Sequence, residues 1–272
     1  MDLAALDRSM DLEKTAPFEL GAGKDACLLV HGFTGSPWDL RPLGEALAGR
    51  GLRVRCPRLP GHGTTPRAMS SVGARDWEAA VEGALAELSE RSTGGRVFVG
   101  GLSMGALLAV LLAARHPERV GALALVAPAL RFRGPTMYAL KRLGRYPLLE
   151  WLRPWIEKNG TDIESPEVLA EAPILKAFPS ARLNDMWALQ DAAWAALPRV
   201  RCPVLVAVAA QDHVVDPGGG KLLVQRLTQA PSVRFIHIQD GFHIIPRDRG
   251  GPLLAEEVGA FFDRVRLEGG ER

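Results

Sequence analysis

Short apolar runs alternate along this chain with longer stretches whose apolar residues recur at helical spacing. Ala26–Val30 reads as a buried strand ending at His31-Gly32. Trp38–Arg50 reads as a helix closed by Gly51, and Leu52–Cys56 as the next strand. In Ala74–Arg91, the residues Trp77, Val81, Ala84, Leu85 and Leu88 share one helical face. Arg96–Gly100 predicts another buried strand. Ala106–Arg115 predicts a helix that is apolar nearly all round, hence central, with Pro117 as its stop signal. Val120–Val126 is again a strand. After a long interruption the alternation resumes with strand Val204–Ala210, helix Gly220–Thr228, strand Val233–Ile238 and a closing helix Leu253–Leu267. Apolar strands separated by helices predict an α/β fold, a mostly parallel sheet covered by helices on both faces.

The interruption, residues 131–198, lacks this rhythm and is rich in proline. It holds Trp151, Trp155, Trp187 and Trp194, four of the six tryptophans. It reads as a mostly helical cap inserted between two parts of one core, residues 1–130 and 199–272.

Composition changes this picture little but excludes several classes. The chain has 272 residues, 47% of them hydrophobic, enough for a sizeable core. A net charge of +2 leaves no electrostatic footprint for nucleic acid. The first twenty residues do not read as a signal peptide, and no run approaches a membrane span, so no stable membrane anchor is expected. Cys27, Cys56 and Cys202 each sit in or beside an apolar run and read as buried thiols. A reduced, soluble, cytoplasmic protein is the default expectation. Oligomeric state is not legible.

The strongest chemical signal is Gly101-Leu102-Ser103-Met104-Gly105, between a predicted strand and a predicted helix. A sharp strand-to-helix turn strains the serine backbone and presents its hydroxyl above the sheet. Small flanking residues are needed because strand and helix approach closely there. The helix that follows aims its amides at the same point, which favours negative charge.

Serine needs a base, and the base needs an acid to hold it. Of the six histidines, His116 lies at a helix end, His237 inside a strand, His62 in a turn and His31 in a strand-exit loop; His213 follows an acid candidate. Only His243 combines a late chain position with a loop just after the last strand. Asp212 follows the strand Val204–Ala210 and is the favoured acid, with Asp216 as runner-up. The order Ser103, Asp212, His243 matches the triad order of α/β-hydrolases. Two backbone N–H groups should face the developing oxyanion, and those of Met104 and Phe33 are the candidates.

As a set, His31-Gly32-Phe33-Thr34-Gly35-Ser36-Pro37, Pro57-Arg58-Leu59-Pro60-Gly61-His62-Gly63, Asp76-Trp77 and the serine motif resemble bacterial carboxylesterases and monoacylglycerol lipases. The resemblance covers nearly the whole core on both sides of the interruption. It implies the α/β-hydrolase fold and an ester hydrolase with a small helical cap, without cofactor or metal. It also implies Ser103, Asp212 and His243 as the triad, with Phe33 and Met104 as oxyanion donors. Two positions depart from the pattern. Ala106 stands where many relatives have a second glycine. By spacing, Lys176 before Pro179 stands where the monoacylglycerol branch has a glycerol-holding glutamate.

Met137, Tyr138, Leu140, Trp151, Trp155, Phe178 and Trp187 are candidates to line an acyl pocket, two or three of them facing substrate and the rest anchoring the insertion. The basic run Arg131, Arg133, Lys141, Arg142 and Arg145 reads first as a solvated face. The expected substrate is a small ester or lipid with a short to medium acyl chain, monoacylglycerols included. The alternatives are an amide, thioester or carbon–carbon bond hydrolase on the same triad, or a non-catalytic binding protein.

Overall fold

The computed structural model describes residues 6–92, 97–134, 139, 141–142, 147–158 and 160–270. In chain order the strands are β1 (Phe18–Leu20), β2 (Ala26–Val30), β3 (Arg53–Cys56), β4 (Val97–Leu102), β5 (Val120–Val126), β6 (Trp155–Glu157), β7 (Ala177–Pro179), β8 (Val204–Ala209) and β9 (Val233–Ile238). The principal helices are α1 (Arg41–Gly49), α2 (Ala74–Arg91), α3 (Met104–Arg115), α4 (Pro147–Leu152), α5 (Pro166–Glu171), α6 (Arg182–Ala196), α7 (Gly218–Arg226) and α8 (Gly251–Gly270).

Seven strands form one sheet in the order β1-β3-β2-β4-β5-β8-β9. Every pairing is parallel except β1 with β3. The fold is that of an α/β-hydrolase. The strands β2, β4 and β8 are buried along their whole length, as expected for a sheet covered on both faces. The helix α3 buries ten residues in a row, Met104–Ala113, as its unbroken apolar sequence requires. On the other side of the sheet, Phe262 of α8 stacks on Phe98 of β4 with ring centroids 4.6 Å apart. The thiols of Cys27, Cys56 and Cys202 are buried and unpaired.

The interruption, expected to be mostly helical, carries strands as well. It contains α4, α5 and α6, but also the antiparallel ribbon β6–β7, in which Ile156 pairs with Phe178. Its last part packs as core: Met186, Leu189, Ala193 and Ala196 of α6 join the same apolar cluster as the sheet. The short edge strand β1 had no sequence signal of its own, being three residues with one buried side chain. Among the described residues no helix is long and apolar enough to cross a membrane.

Candidate active site

The turn between β4 and α3 has the geometry its sequence demands. Ser103 sits at φ 56° and ψ −112°, a conformation that side chains rarely adopt. Its N–H donates to Val126 O at 2.9 Å, which ties the turn to β5. A Cβ on Gly105 would stand 1.9 Å from Val30 O, and one on Gly101 would stand 2.2 Å from Gly105 O. Glycine at both positions is thus a packing necessity, and it lets the strand and helix pinch around Ser103.

The loops after β8 and β9 carry the other two predicted residues to the same end of the sheet. Asp212 and His243 are both buried, and His243 Nδ1–H donates to Asp212 Oδ2 at 2.7 Å. Asp212 Oδ1 accepts the N–H groups of Val214 and Val215 at 2.8 and 2.7 Å, so the carboxylate is held from both sides. With Nδ1 donating, Nε2 is the acceptor left for a proton from serine. Ser103 and His243 line the same pocket, although among the described residues no hydrogen bond joins Ser103 Oγ to the imidazole. Such contacts tighten when substrate binds. The runner-up acid is elsewhere: Asp216 pairs with Arg131 at 3.0 Å and accepts the N–H of Gly218.

The strand-exit loop after β2 faces the serine. A Cβ on Gly32 would stand 3.3 Å from Ser103 Cβ, so the backbone that carries Phe33 N–H passes directly beside the hydroxyl. Met104 is the first residue of α3, where an N–H has no partner within its own helix. His31 braces this loop: its Nδ1–H donates to Gly32 O and its Nε2 accepts Leu59 N–H. Acceptance at Nε2 needs a neutral ring. Burial, with His62 alongside, pulls its pKa down to about 3.

The profile of the family described as serine aminopeptidase, S33, matches residues 21–250. The chain belongs to this family. It is 33% identical to a thermostable monoacylglycerol lipase of Bacillus sp. (strain H-257), across 92% of this chain and 95% of that one. It is 25% identical to a carboxylesterase of Bacillus subtilis, across 92% and 96%. A solved metagenome-derived lipolytic enzyme superposes with a TM-score of 0.83 at 31% identity, covering 92% of this chain and 98% of its own. The resemblance to carboxylesterases and monoacylglycerol lipases is therefore carried by whole-length relatives, not by one motif.

A pocket of about 520 Å³ opens beside Ser103 and His243. Of the aromatic residues expected to line it, Phe178 does so, and its ring packs edge-on against Phe33 with centroids 5.1 Å apart. Three others do not. Trp151 is 78% exposed on the short helix α4, because aromatic character alone does not set which way a six-residue helix faces. Trp187 is buried in α6, and Trp155 is half-buried in the ribbon opposite Pro179; neither lines the pocket. Met137, Tyr138 and Leu140 lie outside the described residues. Lys176 is exposed and does not line the pocket.

Sequence reasoning missed two residues of the insertion that matter more. Lys158 lines the pocket, and its Nζ donates to Thr34 Oγ1 at 2.8 Å. Asp162 ties the catalytic-side loops together. Its Oδ2 accepts the backbone N–H groups of His213 and His243 at 3.0 and 3.1 Å, and its Oδ1 accepts His213 Nδ1–H at 2.8 Å. Neither lies in a periodic segment, so nothing in the pattern singled them out.

Proposed function

We propose that this chain is a carboxylic ester hydrolase working through an acyl-enzyme on Ser103. The buried Asp212–His243 hydrogen bond, opening on the same pocket as a serine held at positive φ, carries the reading. His243 Nε2 takes the Ser103 proton as Oγ attacks the ester carbonyl. Asp212 holds the ring in the required tautomer and stabilises its charged form. The N–H groups of Phe33 and Met104 receive the oxyanion. The alcohol leaves with the proton from His243, and water then releases the acid by the reverse sequence. No step requires a metal or cofactor.

Residues of the insertion roof the site. Phe178, Pro173 and Ile174 add apolar wall, as do Leu183 and Met186 of α6. A pocket of this size and lining suits a short to medium acyl chain. Monoacylglycerols are the first candidates because a monoacylglycerol lipase is a whole-length relative.

The family's aminopeptidase description supports amide hydrolysis as a second reading. An aminopeptidase must hold a substrate ammonium, which calls for a free carboxylate. In this pocket Asp162 accepts three N–H donors and Asp39 accepts Ser36 N–H, while Lys158 and Arg133 line the same space as cations that would repel an ammonium. Ester hydrolysis therefore fits better. Labelling by a fluorophosphonate probe, with turnover of p-nitrophenyl acyl esters and monoacylglycerols above the matched anilides, is the expected result. Absence of both labelling and ester turnover would overturn the reading.

A further inference from the structure

The pocket is mostly apolar, yet several charged side chains line it. Arg133 lines the pocket from an exposed position and donates one guanidinium N–H to Asp212 O. Asp162 and His213 bond each other. Asp39 is buried at the turn after β2, where its Oδ2 accepts Ser36 N–H at 3.0 Å. Lys158 has three N–H donors, and one meets Thr34 Oγ1. Among the described residues no carboxylate lies within ion-pair distance of its Nζ, Asp39 included. An ammonium with two unused donors thus faces an apolar space.

Its place is specific. Thr34 follows Phe33, whose N–H the ester-hydrolase reading assigns to the carbonyl oxygen, and adjacent residues are separated by only about 3.8 Å. A group held by Lys158 is therefore within a few bonds of the scissile carbonyl. We propose that Lys158 selects esters carrying an anionic oxygen group, a carboxylate or a phosphate, close to the bond that is cut. The inference rests on the ester-hydrolase reading and narrows its substrate class. A charge-assisted hydrogen bond from a partly dehydrated ammonium is worth more than one made in water. Burial lowers the pKa of Lys158, with the field of Asp39 opposing, which agrees with a poorly hydrated cation. A ligand oxyanion would restore what hydration no longer provides.

Two pairs of substrates test this. Methyl hydrogen glutarate is compared with methyl hexanoate, and an acylglycerol phosphate with the same monoacylglycerol. The first pair detects a carboxylate and the second a phosphate. In Lys158→Met the ratio of kcat/KM for the anionic over the neutral member should fall by about ten- to a hundred-fold in at least one pair, mainly through KM. Lys158→Arg should keep most of the ratio, and Thr34→Val should keep it even if both rates drop. Lys158→Gln repeats the test with a polar side chain, and fluorophosphonate labelling reports an intact site in each variant. Equal losses on both members in Lys158→Met and Lys158→Gln would overturn the proposal, since Lys158 would then only prop the loop through Thr34. Failure of the wild type to cleave any of the four esters would overturn the ester reading, and this proposal with it.

Discussion

Acid should destabilise this fold through two histidines that do not reach solvent. His31 and His62 are buried with ring centroids 5.2 Å apart, beneath the loop that carries Phe33. Burial, with the neighbouring His62, lowers His31 to about 3, although its bond to Gly32 O opposes the shift. Burial likewise lowers His62 to about 4, opposed by its bond to Pro60 O. In the unfolded chain both titrate near ~6.5. The folded state therefore binds fewer protons than the unfolded state between these values. The stability from both neutral rings is fully present above ~6.5 and is lost as pH falls toward the folded values. The slope is about 1.4 kcal/mol per pH unit for each ring, so at pH ~5 each has lost about 2 kcal/mol and the pair about 4 kcal/mol. That is a large part of the total for a typical domain. Urea unfolding at pH ~7.5 and pH ~5 measures the loss. His62→Asn provides the control, because its amide can replace the Nδ1 donor to Pro60 O without titrating in this range. The variant should lose about 2 kcal/mol less than the wild type between the two pH values. An identical loss in both proteins would refute the assignment of the acid sensitivity to His62.

Ser103→Ala should abolish fluorophosphonate labelling and reduce kcat on the order of 10⁶-fold while the folded far-UV spectrum is retained. Asp212→Asn should lower kcat by about 10⁴-fold, as loss of the equivalent charge does in a serine protease triad, while Asp216→Asn should cost little beyond its contact with Arg131; equal losses would reassign the acid. Gly105→Ala should fail to accumulate as folded protein, because its Cβ would overlap Val30 O at 1.9 Å and the atoms it meets are backbone of Val30 and His31; a soluble, active variant would contradict the packing of the turn. Asp162→Ala leaves three N–H donors of the His213 and His243 loops without their acceptor, at about 1–3 kcal/mol for each donor that water cannot reach, so both melting temperature and kcat should fall; unchanged kcat at lowered stability would confine Asp162 to a structural role.

Much of the core was legible in the sequence because its signals are local. A five-residue apolar run such as Ala26–Val30 is too short for a helix and, ending at His31-Gly32, reads as a strand buried on both faces, and a helix as apolar as Met104–Arg115 belongs at the centre. Glycine on both sides of Ser103 announced the tight turn, since any Cβ there meets backbone. The candidates Ser103, His243 and Asp212 followed from chain order and from the strand ends they occupy. Sequence alone left Asp216 as an alternative acid; the fold places Asp216 on Arg131 and Asp212 on His243. The pocket wall was not legible, because its residues come from an irregular insertion in which direction depends on contacts distant in sequence. Trp151, large and aromatic, points outward, whereas Lys158, just after a three-residue strand with no pattern, faces the space beside Thr34. Period and propensity report which residues are buried along a regular element. Which side chains share a cavity is decided by loop closure across the whole chain, as when Asp162 reaches His243 over 81 positions, and only the tertiary structure contains that information.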